Sequence, residues 1–186
     1  KNVGGGNVSG FSGLQKVDYG YNIRGWLTNI NNVENLNNNE DPIDLFAFKI
    51  NYDQVDNDVN HQINKLYNGN ISETYWKTSS DNVKRKYGYQ YDNLNRLLNS
   101  IYQKPDTPSN VTNSYNESMN YDKNGNIISL MRNGELDDQV IELSIDDLTY
   151  NYQHNSNKLN KVTDATNDPN GFKDDTDLDP NDTNDD

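Results

Sequence analysis

Residues 86–99 read KYGYQYDNLNRLLN. Tyr87, Tyr89 and Tyr91 fall on alternate positions, the period of one face of a β-strand, where aromatic side chains are favoured. Asp92 follows the last tyrosine. A short acceptor side chain at that point bonds nearby backbone N–H groups and opens a turn. Asn95 tolerates the left-handed backbone that a turn tip requires. Leu97 and Leu98 then restart the chain as a return strand. The stretch therefore predicts a β-hairpin.

The same phrase returns along the chain, and internal repetition of this kind outranks other fold signals. YNIRGWLTNI begins at Tyr21, YDNLNRLLNSI at Tyr91, YDKNGNIISL at Tyr121 and YQHNSNKLNKV at Tyr152. Each copy runs from a tyrosine, through Asp, Asn or Gln, to a turn residue, and then to Leu or Ile. The turn residue is Gly25, Asn95 or Gly125; the fourth copy is one residue longer and places Asn157 there. A partial copy, NGNI at 68–71, repeats NGNI at 124–127, and its Asn68-Gly69 is a strong hairpin signal. In LFAFKINYD (45–53), Phe46, Phe48, Ile50 and Tyr52 share one face. A single hairpin is marginal in water, but hairpins laid side by side bury a continuous face. The expected fold is all-β, a series of consecutive antiparallel hairpins, with one irregular loop-helix near 32–45. A linker is expected over 1–16, the repeat body over 17–163 and an acidic linker over 164–186.

Composition bounds the function. The 186 residues contain no cysteine, which excludes disulfides and thiolate chemistry. Leu, Ile, Val and Phe make up only 39 residues, close to the ~20% level at which chains stop folding. Thirteen tyrosines and two tryptophans, placed periodically, weigh against disorder. The 35 asparagines suit a turn-rich chain. The net charge of −13 argues against nucleic-acid binding, which needs clustered Lys and Arg. Most of that charge lies in 164–186, which holds nine Asp and one Lys. No apolar run is long enough to span a bilayer. KNVGGGNVSG at the start lacks the apolar core of a signal peptide, so an export signal is expected outside this segment.

The phrases YDxxGN(I/L)xxL and YDxLNRL resemble the YD repeats of the Rhs family. YNIRGWLTNIN, YNGNIS, YGYQYDNLNRL, YDKNGNI and LTYNYQHNSNKLNKVTDATN resemble, in the same order, segments of long YD-repeat proteins of Bacteroidetes, over about residues 17–170. The resemblance implies a strip of a larger β-sheet that spirals into a hollow shell. Such shells enclose a C-terminal domain, a toxin in polymorphic toxins, or serve in adhesion and display. It implies a secreted or cell-surface bacterial protein, with export by the type IX pathway, and a non-catalytic wall. Its partners would be the remainder of the same chain, the enclosed domain and the secretion machinery. The resemblance is incomplete. The terminal core motif DPxGLxxxxxxxxY has no match, and NDPNGF (167–172) reads as an inter-repeat linker. DLDPNDTNDD reads as the lead-in to a further repeat, so the chain is expected to be part of a longer protein.

No residue set commits to catalytic, cofactor or metal chemistry. Asp174, Asp175, Asp177, Asp179, Asp182, Asp185 and Asp186 invite comparison with calcium loops, but the Gly and Glu of an EF-hand do not follow. A solvated linker is the plainer reading. His61 and His154 have no ligand or dyad spacing. Asp137-Asp138 and Asp146-Asp147 could serve acid–base chemistry, but acidic residues beside strands also cap turns and guard edges. Asn70, Asn110 and Asn116 head glycosylation sequons that carry no weight in a bacterial protein. The aromatic residues, Trp26 and Trp76 among them, leave one alternative function open: an adhesive or carbohydrate-binding β-surface.

Overall fold

The computed structural model describes residues 2–3, 13–37, 42–56, 63–107, 112–134, 137 and 143–174. The chain is all-β. The strands are β1 (Asn2–Val3), β2 (Gln15–Lys16), β3 (Tyr19–Tyr21), β4 (Leu27–Ile30), β5 (Phe46–Asn51), β6 (Glu73–Thr78), β7 (Arg85–Tyr91), β8 (Leu97–Gln103), β9 (Glu117–Tyr121), β10 (Ile127–Asn133), β11 (Ser144–Tyr152) and β12 (Leu159–Asp164). β3 to β12 follow one another in chain order as a ten-stranded sheet of consecutive hairpins; β1 pairs with β2 separately. The sheet is not closed into a barrel, and its order ends at β3 and β12. The chain forms two compact units, residues 1–90 with 103–111, and 91–102 with 112–186.

In the first unit the sequence marks the Phe46, Phe48, Ile50 face as the apolar one. The structure buries the other face. Ala47, Asn51, Glu73, Tyr75 and Lys86 are all buried, whereas Phe46 is exposed. The cause is the long connection from β5 to β6. Its first residues fold back, and Tyr75 Oη and Lys86 Nζ both donate to the Asp56 carbonyl oxygen, each at 2.8 Å. Val33, Leu36, Ala47 and Tyr75 form the small apolar core on that side. Burying a side chain of the Val or Leu class contributes roughly 1.5–3 kcal/mol.

The helix expected near 32–45 is absent among the described residues. Asparagine side chains take the backbone instead: Glu34 N donates to Asn32 Oδ1 and Asn37 N to Asn35 Oδ1. Such local bonds compete with helix formation. The front of the chain departs from a free linker where it is described. Asn2 pairs with Lys16 and Val3 with Gln15. The Gln15 side chain donates to the Ile43 carbonyl oxygen at 2.9 Å and accepts from Leu45 N at 3.3 Å.

In the second unit β9 pairs with β10, β10 with β11 and β11 with β12, all antiparallel. Tyr102, Ile145 and Leu148 are buried, and Tyr102 meets Tyr115 edge-on at 5.1 Å. The body does not end at 163. β12 runs to Asp164, and the chain then folds back over β11. Ala165 N donates to the Asp147 carbonyl oxygen, and Thr166 Oγ1 to that of Ile145.

Candidate functional site

The repeated phrase builds one turn several times. In the second unit, Asp92 N donates to the Arg96 carbonyl oxygen, and Asn95 N donates back to that of Asp92. Asp92 Oδ1 accepts from Leu94 N at 2.8 Å and Arg96 N at 2.9 Å. Asp122 repeats this with Asn124 N at 2.8 Å and Asn126 N at 2.9 Å. In the first unit, Asn22 does the same with Arg24 N and Trp26 N, both at 3.0 Å. The tips are left-handed, with φ of 78° at Gly25, 63° at Asn95 and 93° at Gly125.

The carboxylate copies add a second anchor. Asp92 Oδ2 holds Arg96 Nε at 2.6 Å, and Asp122 Oδ2 holds Asn126 Nδ2 at 2.8 Å. The backbone N–H of Arg96 leads the donors that hold the Asp92 carboxyl below the usual carboxylate range. For Asp122 the Asn126 side-chain amide leads, with the same direction.

The fourth copy corrects the sequence reading. Its left-handed residue is Asn155, with φ of 55°, not Asn157. Gln153 N donates to the Lys158 carbonyl oxygen, and Ser156 Oγ accepts from Lys158 N, the part played elsewhere by the Asp or Asn. Asn157 instead accepts from the turn before it: Asn124 Nδ2 and Asn126 Nδ2 reach its Oδ1 at 3.1 and 3.0 Å. Arg96 makes the equivalent step one repeat earlier. Its Nη1 donates to the Asp122 carbonyl oxygen at 3.0 Å, and its guanidinium lies 4.7 Å from the Tyr121 ring centre.

The tyrosines that open the last two phrases have a second duty. Tyr121 Oη donates to the Leu97 carbonyl oxygen at 2.7 Å, and Tyr152 Oη to that of Ile127 at 2.8 Å. In both cases the acceptor is the aliphatic residue of the preceding copy, six positions after its own tyrosine. Tyr52 Oη makes the same bond to the Leu27 carbonyl oxygen at 3.0 Å, which marks Tyr52-Asp53 as a further copy. The sequence reading passed over it; four residues after Tyr52 stands Asp56, where the other copies carry Gly or Asn. The spacing was the available signal: Tyr52 stands 31 residues after Tyr21, as Tyr152 does after Tyr121. Asn68-Gly69 is not a hairpin tip. Tyr67–Gly69 bends within the β5–β6 connection, where a Cβ on Gly69 would lie 3.1 Å from the Trp26 ring.

The other singled-out residues fall apart as sites. Asp146 and Asp147 do not act as a pair. Buried Asp146 holds Arg132 Nε at 2.6 Å and accepts from Phe172 N at 2.6 Å, while Asp147 N donates to Asp164 Oδ1. Burial pushes the Asp164 carboxyl up, but N–H donors from Asp147, Thr166 and Asn167 and the Thr166 hydroxyl hold it below its ordinary value. NDPNGF is thus docked rather than a loose linker: a Cβ on Gly171 would fall 2.0 Å from the Ile145 carbonyl oxygen. Asp174 accepts from Asp164 N; the rest of the aspartate tail lies outside the described residues, as do His61, Asn110 and Asp138. His154 is exposed in the last turn. Asn70 lies in the β5–β6 connection, and Asn116 Oδ1 accepts from Tyr102 N at 2.8 Å. Among the described residues no three His, Cys, Asp or Glu gather as a metal site, and no helix is long and apolar enough to cross a membrane.

Two surfaces of the first unit could meet a ligand. A cleft of about 930 Å³ is lined by Arg24, Trp26, Asn29, Glu34, Lys49 and Tyr52 among others. Trp26 is already engaged there, with Arg24 at 5.0 Å and Tyr52 at 5.2 Å from its ring. On the face that the β5–β6 connection leaves uncovered, Trp76 stacks on Tyr87 at 5.6 Å and Tyr87 on Tyr89 at 6.1 Å, all three half-buried. Compared with known protein families and curated proteins, the chain matches no family model and no curated protein.

Proposed function

We propose that the chain is a wall segment of a secreted or cell-surface Rhs-type YD-repeat shell, non-catalytic in itself, that encloses or displays a C-terminal domain. The observation that carries this reading is the tyrosine bond, made alike by Tyr52, Tyr121 and Tyr152, to the backbone of the copy before it. Nothing in such a bond limits the number of copies it can join in series. A sheet so built can grow by adding hairpins, and among the described residues its order ends at β3 and β12, edges of the kind that proteins pair or cover. The remainder of the same polypeptide is the natural partner, with the secretion machinery acting on the whole. Electron microscopy of the native polypeptide purified from its source tests this. A hollow β-walled particle is expected; a small compact particle of 21.3 kDa overturns the reading.

A second reading, a surface that binds glycans, is favoured by the Trp76–Tyr87–Tyr89 row alone. Half-exposed stacked rings suit the apolar faces of sugars. Titration of soluble glycans against Trp76 fluorescence, with Trp26 replaced by Phe, tests it. A saturable change supports the binding surface, and a flat response across a broad glycan set removes it.

A further inference from the structure

The buried face of the first unit holds three side chains whose chemistry exceeds packing. Lys86 and Glu73 are both fully buried, and Asn51 is 5% exposed. Lys86 Nζ lies 2.5 Å from Glu73 Oε1. Asn51 Nδ2 donates to the other oxygen, Glu73 Oε2, at 2.8 Å. One carboxylate therefore touches both an amine and a primary amide. They stand on β7 and β5, the two strands that flank its own strand β6. We propose that Lys86 and Asn51 condense into an intramolecular amide cross-link, with Glu73 carrying the proton and ammonia leaving.

The surroundings favour each step. In the proposed reaction a proton passes from the Lys86 amine across the contact to Glu73, which exchanges two buried charges for neutral groups. It also frees the nitrogen lone pair that makes Lys86 a nucleophile. That lone pair bonds to Asn51 Cγ, and the Cγ–Nδ2 bond breaks. In becoming an amide N–H the ammonium gives up two protons. One passes through Glu73 to Nδ2, which departs as ammonia. The other stays on Glu73 as a neutral carboxylic acid. No oxidant, metal or cofactor enters the balance.

The neighbours hold the reactants in place. The Asp56 carbonyl oxygen accepts from Lys86 Nζ, and the Asp56 carboxylate accepts from Asn51 Nδ2 at 3.0 Å and Lys49 Nζ at 2.7 Å. Tyr75 lies under the amine, its ring centre 5.5 Å from Lys86 Nζ. Across from Glu73 stands Gly88, where a Cβ would lie 2.9 Å from Ile63. The bond would join β5 to β7 covalently across β6, in a chain that has no cysteine for a disulfide.

Intact-mass measurement on the folded full chain, denatured only before analysis, tests the proposal. The expected mass is that of the sequence less one ammonia. Proteolysis should then give one branched peptide that joins the Asn51 and Lys86 segments. Lys86→Met and Glu73→Gln should each restore the mass that their sequences require, and Lys161→Met, in the second unit, should keep the loss. A succinimide at Asn51 would also lose ammonia, but it would persist in Lys86→Met, and that outcome overturns the proposal. So does an unaltered mass for the folded wild-type chain. The wild-type mass and the branched peptide decide the matter even if the Glu73→Gln chain fails to fold.

Discussion

The two units use one phrase in opposite ways. In the second, tyrosine-led turns follow at spacings of 30 and 31 residues, after Tyr91, Tyr121 and Tyr152. Its order is stated locally, turn by turn, by a turn side chain in each hairpin and by the hydroxyls of Tyr121 and Tyr152. In the first, the phrase at Tyr52-Asp53 opens a long connection instead of a turn. That connection covers a sheet face and buries a lysine, a glutamate and an asparagine with it. The regular unit resists change by repetition, and the interrupted one by a single crowded network. A substitution should therefore be tolerated locally in one and felt broadly in the other.

The largest expected effect lies in the first unit. Lys86→Met removes the partner of the fully buried Glu73, and with it the proposed link to Asn51; removing one partner of a buried pair costs about 3–5 kcal/mol. Chemical denaturation should show that loss, and amide exchange should rise across β5, β6 and β7. An effect below ~1 kcal/mol, the range of exposed pairs, would show that the network is no core at all.

Next comes Gly171→Ala in the second unit. The added methyl meets the Ile145 carbonyl oxygen and the Asp146 carboxylate, so residues 165–174 must lift. A cost of about 1–3 kcal/mol follows for overpacking of this kind. Exchange protection at Phe172 N should fall while that of β9 and β10 holds. Loss of protection throughout the second unit would contradict the local character argued for it.

Smaller still is the tyrosine hydroxyl. Tyr152→Phe keeps the ring and removes one hydrogen bond to Ile127, with an expected loss of about 0.5–1.5 kcal/mol. Tyr121→Phe and Tyr52→Phe should match it, because the bond is the same in each. Unequal losses would mean that the three bonds are not one repeated device.

Acid is the gentlest probe. The Asp92 and Asp122 carboxyls titrate below the ordinary carboxylate value in the folded chain. A depressed folded value means that their contribution is fully present above the unfolded pKa of about 4 and is lost as pH falls through the folded value. NMR should show the amides of Leu94, Arg96, Asn124 and Asn126 shifting only below that point. The Asn22 turn has no carboxylate and should stay unchanged, so a parallel shift at Arg24 and Trp26 would break the comparison.

The all-β fold and its hairpins were legible because turn chemistry is local. Asp92, Asp122, Gly25, Asn95 and Gly125 stand where the phrase puts them. What escaped depended on distant parts of the chain. Alternation at Phe46, Phe48 and Ile50 showed that two faces differ, but which face is covered was decided by a connection that folds back through Asp56. Glu73 and Lys86 look like surface residues in isolation, and only the β6–β7 register brings them together. In the fourth copy the tip is Asn155, three residues after its tyrosine rather than four, because Ser156 takes over as the turn's side-chain acceptor. Tyr52 was hidden because Asp56 stands where the other copies carry Gly or Asn.

The most direct test of a repeat-built wall is the native mass of the polypeptide that carries this sequence. An antibody raised to the segment would recover it from cells and medium. A single chain several times heavier than 21.3 kDa is expected, with further tyrosine-led repeats beyond this segment. A discrete soluble species near 21.3 kDa would contradict the account, because a sheet ending at β3 and β12 would then be the whole structure rather than a stretch of one.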